Sequence, residues 1–241
     1  LVMCRDDVIP EEEEPEEECC QPIKRYSRDK REANFSRLDP ELLKQLNKFL
    51  IGGRQHSERF IDSHVHLDFI HDKVGPDKKF TTCMEMFKRV FQMNSYPHNL
   101  VGCIPNFIHP SLFSQQPGQV ASAYDYTWIK NIVLDPLVVG ATYGCHPHNA
   151  NEANDIFFAT LEELARNRNE SKMVAVGECG VDLTDRNSNS LEVQLEAFRK
   201  QVQLAVKHKL AIVVHCREGR RGDPEDSVLK VLEEETWNTI G

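Results

Sequence analysis

From residue 60 onward, short apolar runs alternate with longer segments in which apolar residues recur every three or four positions. Short apolar runs that end in Gly, Pro or Asn are typical of buried β-strands. We predict five strands from these runs: RFIDSHVHL (59–67), NLVGCIPNF (99–107), VVGATYGCHP (138–147), KMVAVGECGV (172–181) and LAIVVHC (210–216).

The segments between these strands have the periodicity of amphipathic helices and begin with capping signals. Thr82 and Glu85 form a predicted capping box, and Ser190 is the predicted N-cap of a later helix. A further helix is predicted over residues 152–167, and a last one begins at Asp223–Pro224. The residues predicted to face the core are Met86, Phe87, Val90, Phe91, Phe157, Leu161, Leu164, Leu195, Phe198, Val202, Val206, Val228, Leu229 and Leu232.

Strict alternation of strand and helix predicts an α/β fold with a parallel sheet, because parallel neighbours need crossover connections. Polar residues gather at the C-terminal end of four predicted strands, as His64/His66, His146/His148, Glu178/Asp182 and His215/Arg217. This distribution favours a (β/α)8 barrel of the TIM type, in which active sites form at that rim, over a doubly wound sheet with a single switch point. Five strands are fewer than eight, so the predicted barrel is incomplete.

The charge pattern divides the chain into three predicted regions. Residues 1–20 contain nine acids against one base, a net charge of −8, whereas residues 21–59 contain ten bases against five acids, a net charge of +5. Residues 1–37 are predicted to be a disordered tail, because an acidic run interrupted by prolines buries too little apolar surface to order itself. Residues 38–59 hold a predicted helix and linker, and residues 60–241 form the predicted partial barrel. The basic stretch 24–31 is either a nuclear address or nucleic-acid contact, or a solvated linker.

The composition limits the cellular compartments and the binding partners that we expect for this protein. No apolar run reaches the 18 residues of a membrane span, and the first residues do not resemble a secretory signal. Eight cysteines without a Cys-x-x-Cys pair favour a reducing, intracellular compartment, the nucleus or the cytoplasm. A net charge of −9 argues against a broad basic surface, so binding a phosphate would require local cations or metal ions.

The stretch FIDSHVHLDF raises the question of metal binding. If it is one strand, Asp62, His64, His66 and Asp68 share a face, and burying them without partners is costly. His64 and His66 have a spacing that suits two bonds to one divalent cation. A single His-x-His pair also occurs at ordinary polar strand ends, so this motif alone leaves both interpretations open.

Two further strand ends favour the metal interpretation. Glu178 lies between glycines in VGECGVD, where an acid has no obvious packing role, and its two oxygens can bridge two ions. His215 follows an apolar strand, where it is either a packed core histidine or a ligand of the second ion. We predict that these residues meet at the rim around two divalent ions, Mg, Mn or Zn, which can polarise a phosphoryl oxygen and generate hydroxide near neutral pH. The histidines without a carboxylate at suggestive spacing are interpreted as surface or loop residues: His56, His71, His98, His109 and His208.

Four motifs, FIDSHVHLD, GCHPHNA, VAVGECGVDL and VVHCREG, occur in this order between residues 60 and 219. Together they closely resemble the TatD family of metal-dependent deoxyribonucleases, within the amidohydrolase-like superfamily. The tail resembles the N-terminal extension of animal members. The resemblance implies that His64 and His66 bind the first metal, that Glu178 is the bridging and catalytic carboxylate, and that His215 binds the second metal.

The resemblance also implies a substrate and a reaction. His146 would contact a phosphate, and the guanidinium of Arg217, for which the resemblance implies no role, can pair with a phosphate. The implied activity is hydrolysis of phosphodiester bonds in DNA, with RNA as a further substrate, often from the 3' end.

The chain departs from the family at its C-terminal side. The family continues with a His-Cys-Phe-x-Gly motif and a Thr-Asp-x-Pro motif that complete the metal site, and neither occurs here. The chain therefore resembles a C-terminally truncated member. Two alternatives follow: a non-catalytic protein that binds nucleic acid or a partner, and an amidohydrolase-type enzyme for small amides, lactones or phosphoesters. A Lys at a strand end would favour the second alternative, and no predicted strand ends in one.

Overall fold

The computed structural model describes residues 2–4, 59–74, 80–91, 96, 99–113 and 126–237. Strands and helices alternate along these residues, as the hydrophobic pattern predicts. The elements are β1 (Val2–Cys4), β2 (Phe60–Val65), α1 (Leu67–Val74), α2 (Cys83–Phe91), β3 (Leu100–Phe107), α3 (Pro110–Phe113), α4 (Tyr126–Val133), β4 (Ala141–Tyr143), a 3-10 helix (Pro147–Glu152), α5 (Asp155–Arg166), α6 (Arg168–Ser171), β5 (Met173–Asp182), α7 (Leu191–His208), β6 (Ala211–Arg217) and α8 (Glu225–Trp237).

The strands form one sheet in the order β1-β6-β5-β4-β3-β2, and each neighbouring pair is parallel. Strands β2 to β6 curl into a half-barrel, which confirms the predicted fold class, an incomplete barrel of the TIM type. Within the described ranges, no helix combines the length and apolar character needed to cross a membrane.

Strand β1 comes from the tail. Val2 pairs with Val213 and Cys4 with His215, so these residues cover the outer edge of β6. The predicted disorder of residues 1–37 does not extend to Val2–Cys4, because an apolar start can pair with backbone groups that β6 would otherwise leave open at the sheet edge. The rest of the tail and the helix predicted within residues 38–59 lie outside the described residues, apart from residue 59.

Side-chain caps fix where the helices begin. Thr82 Oγ1 accepts a hydrogen bond from the backbone N–H of Glu85 at 3.2 Å, while Glu85 Oε2 accepts one from the N–H of Thr82 at 3.1 Å, which confirms the capping box. Ser190 Oγ accepts from the N–H of Val193 at 3.4 Å, which confirms the predicted N-cap of α7. In α8 one predicted core residue is wrong: Leu229 is 40% exposed, and Val231 is buried instead.

The hydrophobic core lies between the outer face of the sheet and the helices. Its most deeply buried side chains come from both layers: Phe107, Tyr143, Val176 and Val214 from strands, and Ile132, Phe157, Leu161, Phe198 and Val202 from helices. Because strand side chains alternate between faces, this core uses one face of the strands and leaves the other for polar side chains.

Glycines allow β5 and β6 to approach closely beside Glu178. Gly180 has a φ of +148°, and a Cβ built on it would overlap the carbonyl oxygen of His215. Gly177 has a φ of +135°, and its Cβ would overlap the carbonyl oxygen of Val213. Glycine is the residue that tolerates both conditions, which explains why glycines frame this acid in the sequence.

Candidate metal centre at the strand ends

Two histidines from the end of β2 face one carboxylate oxygen on β5. Nε2 of His64 lies 3.3 Å from Oε2 of Glu178, and Nε2 of His66 lies 3.6 Å from the same oxygen. Nδ1 of His66 lies 3.1 Å from the backbone oxygen of Asn106, which can only accept a hydrogen bond. The ring proton of neutral His66 is therefore on Nδ1, and Nε2 keeps a lone pair that can bind a metal.

The other oxygen of Glu178 faces a second group. Nδ1 of His215 lies 2.8 Å from Oε1 of Glu178, and the rings of His146 and His215 are 4.5 Å apart at their centroids. In each of the groups His64/His66/Glu178 and His146/Glu178/His215, one ligand atom per residue lies within 4.8 Å of the others. One carboxylate therefore belongs to both groups, which is the arrangement that a bridging ligand requires.

An irregularity in the sheet gives Glu178 this position. The register of β5 against β6 pairs Gly177 with Val213 and Cys179 with Val214, so Glu178 is an extra residue on β5. An extra residue of this kind bends its strand and re-aims its side chain, and such bulges are common beside functional sites. The bulge lets Glu178 reach histidines on both sides of β5.

Asp182, at the end of β5, connects two of the histidines. Its side chain is 1% exposed, and Oδ2 lies 3.0 Å from Nε2 of His148 and 3.2 Å from Nε2 of His215. Its other oxygen accepts hydrogen bonds from the N–H of Thr184 at 2.8 Å and from Oγ1 of Thr184 at 2.6 Å. A carboxylate held in this way orients imidazole rings around a metal. Its position at a strand end alone predicts no role for Asp182, although its i, i+4 spacing from Glu178 is a signal.

The local environment sets the charge states that a metal requires. Burial alone would raise the pKa of the Glu178 carboxyl, but hydrogen bonds from His215 and His64 lower it below its usual range. Burial lowers the pKa of His146 to about 3, and the neighbouring His215 acts in the same direction. Burial likewise lowers the pKa of His66, against the opposing charge of Glu178. Ionised carboxylates and neutral imidazoles are the forms that bind divalent ions.

Two buried glutamines on α7 hold the strand ends that carry these residues. Gln201 accepts from the N–H of Cys145 at 2.7 Å and donates to the carbonyl of Cys145 at 3.3 Å, immediately before His146. Gln194 accepts from the N–H of Asp182 at 2.8 Å. Both side chains are 0% exposed. The hydrophobic pattern does not predict this role for the two glutamines; the signal is two amides seven residues apart on the apolar face of a helix.

Arg221 supports the loop that follows β5. Its guanidinium donates to the carbonyl oxygens of Asp182 at 3.0 Å and Asn189 at 3.0 Å, and to those of Leu183 and Thr184 at 3.3 and 3.2 Å. The loop is therefore fixed on one side by Arg221 and on the other by Gln194.

Other sequence-predicted residues lie outside the two groups. Arg217 is exposed at the last position of β6. Asp62 is exposed and accepts from the N–H of His64 at 3.1 Å, and Asp68 is buried in α1. The predicted shared face therefore holds for the two histidines alone, because β2 ends at Val65 and the chain turns into α1 at Leu67.

The interpretation of His71 and His208 as surface or loop residues needs correction. His71 is buried between the rings of Phe80 and Trp128, and Nε2 of His208 lies 2.9 Å from Glu162. His109 is a loop residue between β3 and α3, as predicted, but it lies at the rim of the candidate centre, with its ring 5.5 Å from that of Phe69. The spacing of residues along the sequence does not predict the position of His109 at the rim, because its neighbours there follow other strands.

The half-barrel with imidazoles and carboxylates at the C-terminal rim defines a TIM-type barrel protein with a candidate metal centre. A model of the TatD related DNase family matches residues 61–240, and the chain belongs to this metal-dependent family. The structure also resembles the crystal structure of a TatD family hydrolase from Entamoeba histolytica. That likeness has a TM-score of 0.50 and 18% identity, covers 75% of this chain and 56% of the other, and supports the fold.

Similar curated proteins are named as nucleases. A human protein named 3'-5' RNA nuclease TATDN2 is 33% identical over 161 residues, which are 67% of this chain and 18% of the relative. A protein from Erwinia tasmaniensis named 3'-5' ssDNA/RNA exonuclease TatD is 38% identical over 109 residues, which are 45% of this chain and 36% of the relative. The matched region thus spans a minority of the length of each of these relatives.

Proposed function

We propose that this protein binds two divalent cations, Mg, Mn or Zn, and hydrolyses phosphodiester bonds in nucleic acid, with DNA cleaved from the 3' end as its main reaction and RNA as a further substrate. The observation that carries the proposal is the position of Glu178, whose two oxygens face two separate groups of histidines. The names of the TatD relatives, which specify nucleases acting on DNA and RNA, support the substrate class.

Each residue has a separate task in this proposal. His64 and His66 would hold one ion, His215 would hold the other, and Glu178 would contribute a ligand to both. Two ions held a few ångströms apart would supply Lewis acidity and activate water for attack on phosphorus. Asp182 orients the His215 ring through its contact with Nε2, the nitrogen that does not face Glu178.

His146 is suited to contact a phosphate, although it lies within the second group. Its Nδ1 accepts a hydrogen bond from the N–H of His148 at 3.2 Å. Because burial keeps the pKa of His146 low and the ring neutral, the ring proton is on Nε2. An Nε2–H donor can bind a phosphate oxygen, whereas a metal bond would require a lone pair at that nitrogen. We assign Arg217 a second phosphate contact at the rim.

Two less specific parts of the proposal rest on composition and cysteine state. We place the protein in an intracellular compartment, the nucleus or the cytoplasm, because the five cysteines whose state the structure describes are free thiols.

The amidohydrolase-type alternative has little support, because none of the described strands of the half-barrel ends in Lys.

A non-catalytic protein that binds nucleic acid remains a second candidate function. The observation that favours it concerns the group His146/Glu178/His215, in which His146 is better suited to donate a hydrogen bond to phosphate than to bind a metal ion. Among the described residues, Glu178 and His215 are then the two remaining ligands of the second ion. Such a site would bind its ion weakly and place a phosphate without cleaving it.

A nuclease assay on the full chain distinguishes the two functions. The chain is stripped with a chelator, reloaded with Mg²⁺, Mn²⁺ or Zn²⁺, and incubated with single-stranded DNA or RNA labelled at the 5' end. Our proposal predicts metal-dependent shortening from the 3' end by the unmodified chain and by Glu163→Gln, an exposed control on α5. It predicts no shortening by Glu178→Gln. Binding without cleavage under all metals would favour the second candidate function.

A further inference from the structure

Phe69 is an exposed aromatic ring beside a predicted metal ligand. It lies in the first turn of α1, and its ring stacks on that of His66 with centroids 4.9 Å apart and planes 28° apart. The side chain is 37% exposed, whereas Phe107, Phe157 and Phe198 are completely buried. An isolated exposed apolar residue is common, so the significance of Phe69 depends on what lies next to it.

His109, the neighbour of Phe69, has a hydrogen-bond donor at Nε2. Nδ1 of His109 lies 2.7 Å from Nδ2 of Asn149, and an amide nitrogen can only donate. Nδ1 of His109 therefore accepts, and the proton of the neutral ring is on Nε2. Burial lowers the pKa of His109, with smaller effects from His66 and His148 in the same direction, which keeps the ring neutral.

Phe69, His109 and Asn149 come from the segments that follow three successive strands, β2, β3 and β4. The ring of Phe69 lies 5.5 Å from that of His109, with a 60° angle between the planes. The rim next to the first metal group thus combines an aromatic surface with an N–H donor. An aromatic surface that stacks, with a donor at its side, is how proteins bind an unpaired nucleobase.

We propose that Phe69 and His109 form a nucleobase subsite, in which the base next to the scissile phosphate stacks on Phe69 and accepts a hydrogen bond from Nε2 of His109. The inference rests on the proposed function, because the metal group beside His66 sets where that phosphate lies. Every base has a π face, so stacking on Phe69 tolerates different sequences. It requires a base that is not stacked in a duplex, so single-stranded substrates are preferred.

Abasic substrates test the subsite directly. Single-stranded oligonucleotides carry a normal base or a tetrahydrofuran abasic residue at each of the last three positions in turn. For the unmodified chain, removing the base at one position is expected to lower kcat/KM by about 5- to 100-fold, the range typical of base–aromatic stacking. In Phe69→Ala the difference between the two substrates is expected to become much smaller, because the stacking surface is lost and the hydrogen bond from His109 alone recognises the base.

Matched variants separate stacking from structural damage. Phe69→Leu keeps an apolar contact with His66 but has no aromatic face, so it is expected to lose most of the base discrimination while its thermal unfolding stays unchanged. Phe69→Trp is expected to keep or increase discrimination. Phe60→Ala removes a 43% exposed ring at the opposite end of β2 and is expected to leave discrimination unchanged. Base discrimination that is undiminished in Phe69→Ala and Phe69→Leu would overturn the inference.

Binding measurements keep this test separate from the test of the proposed function. If the unmodified chain cleaves no oligonucleotide, fluorescence anisotropy with the same pairs reads the subsite without turnover. A base-dependent affinity that disappears in Phe69→Leu would support the subsite while the nuclease function fails. No binding of any oligonucleotide, or binding that is independent of the base, would overturn it.

Discussion

Oε1 of Glu178 lies 2.8 Å from Nδ1 of His215, across the neighbouring strands β5 and β6. The contact exists because β5 carries an extra residue at Glu178 and because the flanking glycines let the two strands approach closely. Since the other oxygen of Glu178 faces His64, a change at this residue is expected to affect both groups of the candidate centre.

Asp182→Asn tests the carboxylate that contacts the imidazoles of His148 and His215. The substitution keeps the shape of the side chain but removes the charge that faces His148 and His215. We expect divalent metal affinity to fall by about 10- to 100-fold, the usual effect of losing a partner that orients a metal ligand. The measurement is isothermal titration of the chelator-treated chain with Zn²⁺ or Mn²⁺.

Asp185→Asn is the control for that prediction. Asp185 is exposed and lies 3.5 Å from the exposed side chain of Arg220, outside the candidate centre. We expect its metal affinity to match that of the unmodified chain. Equal losses in both variants would show that Asp182 has no specific role.

Gln201→Met tests whether the buried glutamines hold the strand ends. Methionine has a similar volume but leaves the N–H and carbonyl of Cys145 without their partner on α7. We expect the free energy of unfolding to fall by about 1–3 kcal/mol, because buried backbone groups lose hydrogen bonds that water cannot replace. Urea denaturation followed by circular dichroism measures this change.

The matched control, Gln203→Met, lies two residues away on the same helix. Gln203 is exposed and donates to Glu235 at 3.0 Å. We expect a change within about 0.5 kcal/mol, as is usual for exposed positions. A similar loss at both positions would contradict a special role for Gln201.

Gly180→Ala tests the close approach of β5 to β6. Both Gly180 and Gly222 have positive φ angles, but the nearest atom to a Cβ on Gly222 is 3.9 Å away, whereas a Cβ on Gly180 overlaps β6. Gly222→Ala therefore reports backbone strain alone, expected at about 1–3 kcal/mol. Gly180→Ala is expected to cost more and to weaken metal binding, as thermal unfolding and metal titration would show. An equal effect of the two substitutions would contradict the steric argument.

The ion-pair cluster around Glu162 predicts an acid-dependent loss of stability. Lys207 and His208 on α7 each lie 2.9 Å from Oε1 of Glu162 on α5, and they lower the pKa of Glu162 from 4.5 to about 2. A lowered carboxyl pKa stabilises the fold above pH 4.5, and this contribution is lost as the pH falls towards 2. Because the cluster is partly exposed, it is worth at most about 1 kcal/mol. Glu162→Gln is expected to remove this part of the pH dependence in urea titrations between pH 5 and 2, and an unchanged profile would contradict the assignment.

Local sequence patterns predicted the features that depend on local periodicity. The five strands of the half-barrel, the Thr82/Glu85 capping box and the placement of His64, His66 and His215 near strand ends follow from hydrophobic period and strand alternation, whereas Glu178 lies inside β5 at its bulge. The end of β2 at Val65 was not predicted, because an apolar run does not show where a strand turns into a helix.

Features that depend on distant partners could not be predicted in this way. Asp182, Gln194, Gln201 and His109 acquire their roles from residues that lie far away in the sequence but close in the fold. A single chain shows the residue types without showing which of them meet. The glutamines also contradict the simple expectation that the buried face of a helix is apolar.

The most direct test of the central claim is the number of metal ions bound per chain, measured by elemental analysis after equilibrium dialysis. We predict two ions for the unmodified chain, about one each for His66→Ala and His215→Ala, and almost none for Glu178→Gln, since both groups share that carboxylate. Retention of two ions by Glu178→Gln would contradict a bridging role for Glu178 and with it the proposed two-metal centre.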